Sequence, residues 1–93
     1  LRASKADHQT AIDLYRKAIG LDAHFATAYA QLAYALGASV VFGYADNAAE
    51  ALIAAREEAE SAITLDPNEP LARYALGRHH LFLVLVDTAV RET

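Results

Sequence analysis

The sequence predicts an all-α fold, a solenoid of antiparallel helical hairpins that occupies residues 1–93. Alanine is abundant and no stretch alternates polar and apolar residues over the length of a strand, which favours helices. An uncharged segment, residues 23–45, lies between charged flanks. Residues 18–23 match residues 62–67, an offset of 44 residues. A repeat of this length is typical of stacked helical hairpins.

The first helix is predicted over residues 5–20, with apolar and small side chains at three- and four-residue spacing on one side. The second is predicted over 24–42, the third over 47–65, the fourth over 69–85 and a fifth over 88–93. The residues that delimit these helices are Ser4 with Asp7 in a capping box, Gly43 at a helix end, Asp46, Asn68 and Asp87 as N-caps, and Pro70 in a first turn. The run from Leu81 to Val86 has strand-like composition, but no partner strand exists, so we predict a helix there.

The second helix is the centre of the predicted fold because residues 23–45 contain no Asp, Glu, Lys or Arg. A segment of this length without charge either spans a membrane or packs on several sides against its own protein. It is rich in alanine and includes His24 and Gln31, whereas a spanning helix uses mainly Leu, Ile, Val and Phe. We therefore predict a packed central helix, approached closely by its neighbours, and no membrane partner.

Composition limits the possible functions. The hydrophobic fraction of 55% and charged fraction of 22% indicate a globular chain. The net charge of −4 and the lack of a basic face argue against a nucleic-acid partner. Residues 46–66 are strongly acidic, either as a solvated helix face or as an electrostatic docking surface. The chain has no cysteine, so it has no disulfide or thiolate chemistry, and we expect a cytoplasmic protein.

The two repeat copies contain related motifs: Ala62-x-x-x-x-Pro67 followed by Leu76-Gly77, and the earlier copy Ala18-x-x-x-x-Ala23 followed by Tyr29-x-x-Leu32-Ala33-x-x-Leu36. These motifs resemble the tetratricopeptide repeat family. In that family, small residues lie where two helices touch and an aromatic side chain fills the gap beside them. The second copy departs from the pattern where Ala59 aligns with Tyr15 and Arg73 occupies the aromatic position. The resemblance implies a superhelix of tetratricopeptide type.

The repeat of 44 residues is longer than the family's usual length of about 34 residues. This long hairpin is similar to the repeats that follow the catalytic or DNA-binding region in some bacterial class III nucleotide cyclases and winged-helix regulators. We therefore expect the chain to be a segment of a longer protein. The resemblance implies a non-catalytic protein–protein interaction module; the alternative is a regulatory segment of a bacterial adenylate or guanylate cyclase or of a transcriptional regulator.

No catalytic, cofactor-binding or metal-binding residues are predicted, because the chain lacks a phosphate-binding glycine loop, a zinc-type motif and a nucleophile elbow. His79 and His80 are neighbours on a helix and point about 100° apart, so they do not chelate one metal. The resemblance implies a peptide groove lined by Thr27, Ala30, Gln31, Tyr34, Leu71, Tyr74 and Arg78. This groove is mostly apolar and aromatic, and only Arg78 can bind a carboxylate.

The predicted partners are a protein or peptide in the groove and a second copy of the chain. Because the fourth helix ends in an apolar run, we predict a homodimer through the C-terminal end, in which Leu81, Phe82 and Leu85 of two copies pair about a two-fold axis.

Overall fold

The computed structural model describes residues 4–92, which form four helices and no strand. α1 is Lys5–Leu21, α2 is Ala26–Val41, α3 is Ala48–Leu65 and α4 is Pro70–Glu92. The all-α prediction is therefore confirmed for the described part of the chain, including the helical state of the apolar run within α4. None of these helices has both the length and the hydropathy that crossing a membrane requires.

α2 lies at the centre and is the only one of the four helices that packs against all three others. Nine of its residues are buried, mostly alanines. Their small side chains allow the neighbouring helices to approach closely, so the core forms three clusters of contacts rather than one block of large side chains. Those clusters are centred on Leu32 and Leu36 toward α1 and α3, on Ala30 with Ala62 and Ala72, and on Ala33 with Ala59 and Ala75.

The residues at the helix ends are those predicted, except that the capping residues of α3 and α4 are each one position later in the sequence. Ser4 caps α1 by accepting a hydrogen bond from the Asp7 amide, and Gly43 follows α2 with a φ of 74°, as predicted. Asn47, not Asp46, caps α3 by accepting from the Glu50 amide at 3.0 Å.

At the start of α4 the Glu69 carboxylate, not Asn68, accepts a hydrogen bond from an amide in the first turn. The donor is the Leu71 amide, and the helix begins at Pro70. Proline has no backbone N–H, but in a first turn no intrahelical hydrogen bond is lost, as the sequence predicted.

The predicted fifth helix over residues 88–93 is wrong in the described region, because α4 continues without a break to Glu92. Thr93 lies outside the described residues. Asp87 does not cap a new helix; its carboxylate pairs with Arg91 one turn later, at 3.2 Å. Asp87 is the repeat equivalent of Gly43, which ends α2 in the left-handed region. An aspartate with an arginine four residues onward favours continuation of the helix instead.

The 44-residue repeat recurs in the hydrogen bonds of the two interhelical turns. Asp22 and Asp66 have nearly the same backbone conformation, with φ of −146° and −145°. Each accepts an amide hydrogen bond at 3.0 Å from the residue two positions later. The Tyr29 hydroxyl donates to the Ala23 carbonyl, and the Arg73 side chain donates to the Pro67 carbonyl. The α1–α2 turn and the α3–α4 turn are therefore two copies of one structure.

Candidate functional site

Two tyrosines and an arginine converge on one side of α2 and α4, and we call them the aromatic–arginine cluster. The centroids of the Tyr34 and Tyr74 rings are 5.9 Å apart, and the ring planes are tilted by 32°. The Arg78 guanidinium carbon lies 4.7 Å from the Tyr34 ring centroid and 5.7 Å from the Tyr74 centroid. These distances are within the range of cation–π attraction, so both rings hold the guanidinium in place.

Arg78 is also held by the backbone of α2. Its guanidinium donates a hydrogen bond to the Tyr34 carbonyl at 2.9 Å. The same guanidinium lies against Gly37, in the space that a β-carbon on that residue would occupy. Gly37 therefore admits the arginine to the surface of α2, a role that was not predicted from the sequence. The only signal was a glycine inside an otherwise alanine-rich helix.

The positive charge of Arg78 is not neutralised by a carboxylate within the described residues. The ion pairs formed there are Lys5 with Asp46, Arg56 with Glu60, and Arg91 with Asp87. Tyr34 and Tyr74 are 39% and 56% exposed, and Arg78 is half-buried. The cluster thus presents two accessible aromatic rings and an oriented cation with unused N–H donors.

The other residues of the predicted groove are distributed less favourably. Thr27 is exposed in the first turn of α2, and Gln31 and Leu71 are half-buried. Ala30 is completely buried between Ala62 and Ala72, so its assignment to the groove surface is wrong. A residue without accessible area at a helix contact cannot meet a ligand. Of the seven predicted residues, the ring and cation contacts join Tyr34, Tyr74 and Arg78.

The residues predicted for self-association lie on the half of α4 that follows Arg78. Leu81 and Leu85 are 59% and 60% exposed. Phe82 is half-buried and lines a small cavity with Val40 and Val41 of α2, so it contributes less open area than the sequence suggested. The patch is widened by further exposed apolar side chains of the same helix: Leu83, Val84 and Val86. Pairing through this patch remains a prediction.

A cleft with a volume of about 510 Å³ runs between α3 and α4 and is lined by Leu52, Ile53, Arg56, Glu60, His79 and Leu83, among others. We call it the α3–α4 cleft. The Nδ1 atom of His79 is buried there without a hydrogen-bond partner. Burial lowers the pKa of His79 below its ordinary value of 6.5, and the positive charges of Arg56 and His80 act in the same direction. The fold therefore favours the neutral imidazole more than the unfolded chain does.

A second cleft lies between α1 and α2 and has a volume of about 360 Å³. We call it the α1–α2 cleft. His8 faces it and its Nε2 atom lies 2.9 Å from the Ala35 carbonyl. The first residues of α3, including Glu50 and Ala51, close one of its sides. The repeat relates the two clefts, because six lining positions correspond: 5 with 49, 8 with 52, 9 with 53, 12 with 56, 16 with 60, and 39 with 83.

The described residues contain no group of three or more His, Asp or Glu side chains that could hold a metal ion. The rings of His79 and His80 meet edge to face with centroids 6.2 Å apart.

Comparison of the chain with families of known proteins, with characterised proteins and with solved structures gives no match.

Proposed function

We propose that this chain is a non-catalytic protein-interaction module of tetratricopeptide type that binds a peptide segment on the aromatic–arginine cluster. The carrying observation is Arg78, a cation oriented by two tyrosine rings and a backbone carbonyl but not paired with a carboxylate among residues 4–91. The hairpin repeat and its matched turns support the superhelical assignment.

The chemistry of the cluster specifies the ligand. A guanidinium with free donors donates hydrogen bonds to a carboxylate, and the flanking rings pack against an apolar or aromatic side chain. Arg78 is the only cation in the predicted groove, so the ligand carries one carboxylate beside an apolar side chain rather than a run of acids. Because the rings already hold the arginine, little side-chain freedom is lost when the ligand binds.

The test is a selection from a random peptide library against the chain, followed by affinity measurement on Arg78→Gln and Tyr34→Ala. A charge-assisted hydrogen bond contributes about 1.5–3 kcal/mol, so selected peptides should bind Arg78→Gln roughly tenfold to a hundredfold more weakly. Arg91→Gln is the matched control, since it removes an exposed arginine from the far end of α4. It should leave the affinity unchanged.

Two results would contradict the proposal. If the library yields no binding peptide, the module assignment is wrong. If peptides bind but Arg78→Gln and Tyr34→Ala bind them as tightly as the unmodified chain does, binding occurs elsewhere on the surface.

A further inference from the structure

The 44-residue repeat relates two open faces of this chain to a helix contact that already exists within it. α3 packs on α2 more extensively than any other pair of helices packs. By the repeat, α1 is the equivalent of α3, and α4 is the equivalent of α2. The α2–α3 contact therefore predicts a counterpart between two molecules, in which α1 of one molecule would lie on α4 of the other.

One of the two faces is the outer side of α1. Ala55 and Ala62 of α3 are buried, whereas their equivalents Ala11 and Ala18 are half-exposed. Leu14, on the same side of α1, is 58% exposed. α1 thus presents, uncovered, a face with the same spacing of small residues that α3 buries.

The other face belongs to α4. Ala33 and Leu36 of α2 are buried in clusters that include alanines of α3. Their equivalents Gly77 and His80 are exposed, and no atom of a neighbouring element lies within 4 Å of the place a Gly77 β-carbon would take. Val84, one turn further along, is 60% exposed. α4 therefore presents, uncovered, the counterpart of the α2 surface against which α3 packs.

The two faces are complementary in size. Within the chain, Ala33 of α2 shares a buried cluster with Ala59 of α3. The equivalents of these residues are Gly77 and Tyr15. The larger ring of one molecule would thus face the position without a side chain in the other, and the absence of a β-carbon at Gly77 offsets part of the volume that the ring adds.

Charge is complementary as well. The acidic residues of α3 beside the α3–α4 cleft outnumber its single arginine, and the basic residues of α1 outnumber its two aspartates. The groups concerned are Glu57 and Glu60 with Arg56 in the lining of the cleft, and Lys5, Arg16 and Lys17 with Asp7 and Asp13 on α1. Opposite net charges favour docking of α1 beside α3.

From these observations we propose that α1 of a second copy of this chain docks into the α3–α4 cleft, so that copies associate head to tail. The contact continues the arrangement in which α3 closes the α1–α2 cleft of its own chain. The two partners contribute different faces, so the interface is heterologous and does not close at two copies. This differs from the two-fold pairing predicted from the apolar run alone, and it is independent of the peptide site.

The test uses one variant that blocks each face, studied by sedimentation velocity at micromolar and higher concentrations. Gly77→Leu fills the α4 face, because the equivalent residue, Ala33, has no exposed area. Ala18→Glu places a charge on the α1 face, where the equivalent residue, Ala62, likewise has no exposed area. The unmodified chain should associate with rising concentration beyond a dimer. Each variant alone should sediment as a monomer, and an equimolar mixture should form a dimer, since the mixture holds one intact face of each kind.

Leu85→Glu is the control that separates this proposal from two-fold pairing. The equivalent residue, Val41, remains 61% exposed although helices pack on both sides of α2, so this change should not reduce head-to-tail association. Circular dichroism verifies that each variant is folded; if Ala18→Glu loses helix, Ala11→Glu on the same face replaces it. A monomer at all concentrations overturns the proposal, as does an assembly that survives the α1 variant or is abolished by Leu85→Glu. A mixture of folded variants that stays monomeric also overturns it.

Discussion

Replacing Ala33 with leucine tests the central contact of the fold. Ala33 has no exposed area and shares a cluster with Ala59 of α3 and Ala75 of α4, which are 1% and 6% exposed. The neighbouring cavity has a volume of about 20 Å³, enough for about one water molecule. An added isopropyl group therefore does not fit unless the helices separate or side chains leave their preferred rotamers.

The expected cost of Ala33→Leu is that of overpacking a closely packed core, roughly 1–3 kcal/mol. For a domain of this size each kcal/mol shifts the unfolding midpoint by roughly 4–8 °C. The midpoint should therefore fall by between roughly 4 and 24 °C. Thermal unfolding followed by far-ultraviolet circular dichroism measures it, at a concentration low enough that association does not contribute to stability.

Gly77→Leu is the matched control for Ala33→Leu, because it places the same side chain at the equivalent position of the second copy. No atom of a neighbouring element lies within 4 Å of a β-carbon there, and leucine is a better helix former than glycine by somewhat less than about 1 kcal/mol. Its midpoint should stay the same or rise. If Ala33→Leu unfolds at the temperature of the unmodified chain, or if both variants lose stability equally, three helices do not meet at Ala33.

Three further changes test separate features. Gly37→Ala should keep or raise the unfolding midpoint, because alanine favours helix over glycine by up to about 1 kcal/mol. It should nevertheless weaken peptide binding, because its β-carbon displaces the Arg78 guanidinium. An unchanged peptide affinity would contradict this. Asn47→Ala should cost about 1 kcal/mol through loss of the α3 cap, whereas Asp46→Ala, which breaks an exposed ion pair, should cost less. The pKa of His79 is lowered in the fold, so the unfolded chain binds that proton first as pH falls through 6.5. The free energy of unfolding should therefore decrease as the pH falls from 6.5 to the lowered pKa of His79, and it should decrease less in His79→Leu. Denaturant unfolding measures both, and an equal decrease in the two proteins would refute this.

The sequence predicted the number and order of the first four helices because their limits are encoded locally. Apolar periodicity, a capping serine and a glycine in the left-handed region act within a few residues of their own positions. The position of the α3 cap was missed by one residue because two adjacent candidates, Asp46 and Asn47, satisfy the same rule. A distant residue distinguishes them: Lys5 of α1 binds the Asp46 carboxylate at 3.0 Å, and no local pattern contains that contact.

The candidate site was predicted in part for a similar reason. The resemblance to tetratricopeptide repeats implied groove positions for Tyr34, Tyr74 and Arg78, but the contacts among these side chains depend on how closely α2 and α4 approach. That approach is set by small buried residues such as Ala30, which packs with Ala62 and Ala72 and is therefore not accessible in the groove. Spacing along one helix assigns a residue to a side, whereas accessibility depends on the neighbouring helix.

The two copies keep their common structure through shared backbone acceptors rather than through shared side-chain types. Tyr29 and Arg73 differ in charge and shape, yet each donates a hydrogen bond to the equivalent carbonyl in its turn. The pair formed by Tyr34 and Arg78 behaves differently. These two residues are equivalent in the repeat, and here the arginine of the second copy donates to the carbonyl of the tyrosine in the first. The sequence difference between Tyr29 and Arg73 preserves the turn and so maintains the scaffold. The difference between Tyr34 and Arg78 joins the two repeat copies and creates a surface that neither copy has alone. That surface is where we place peptide binding.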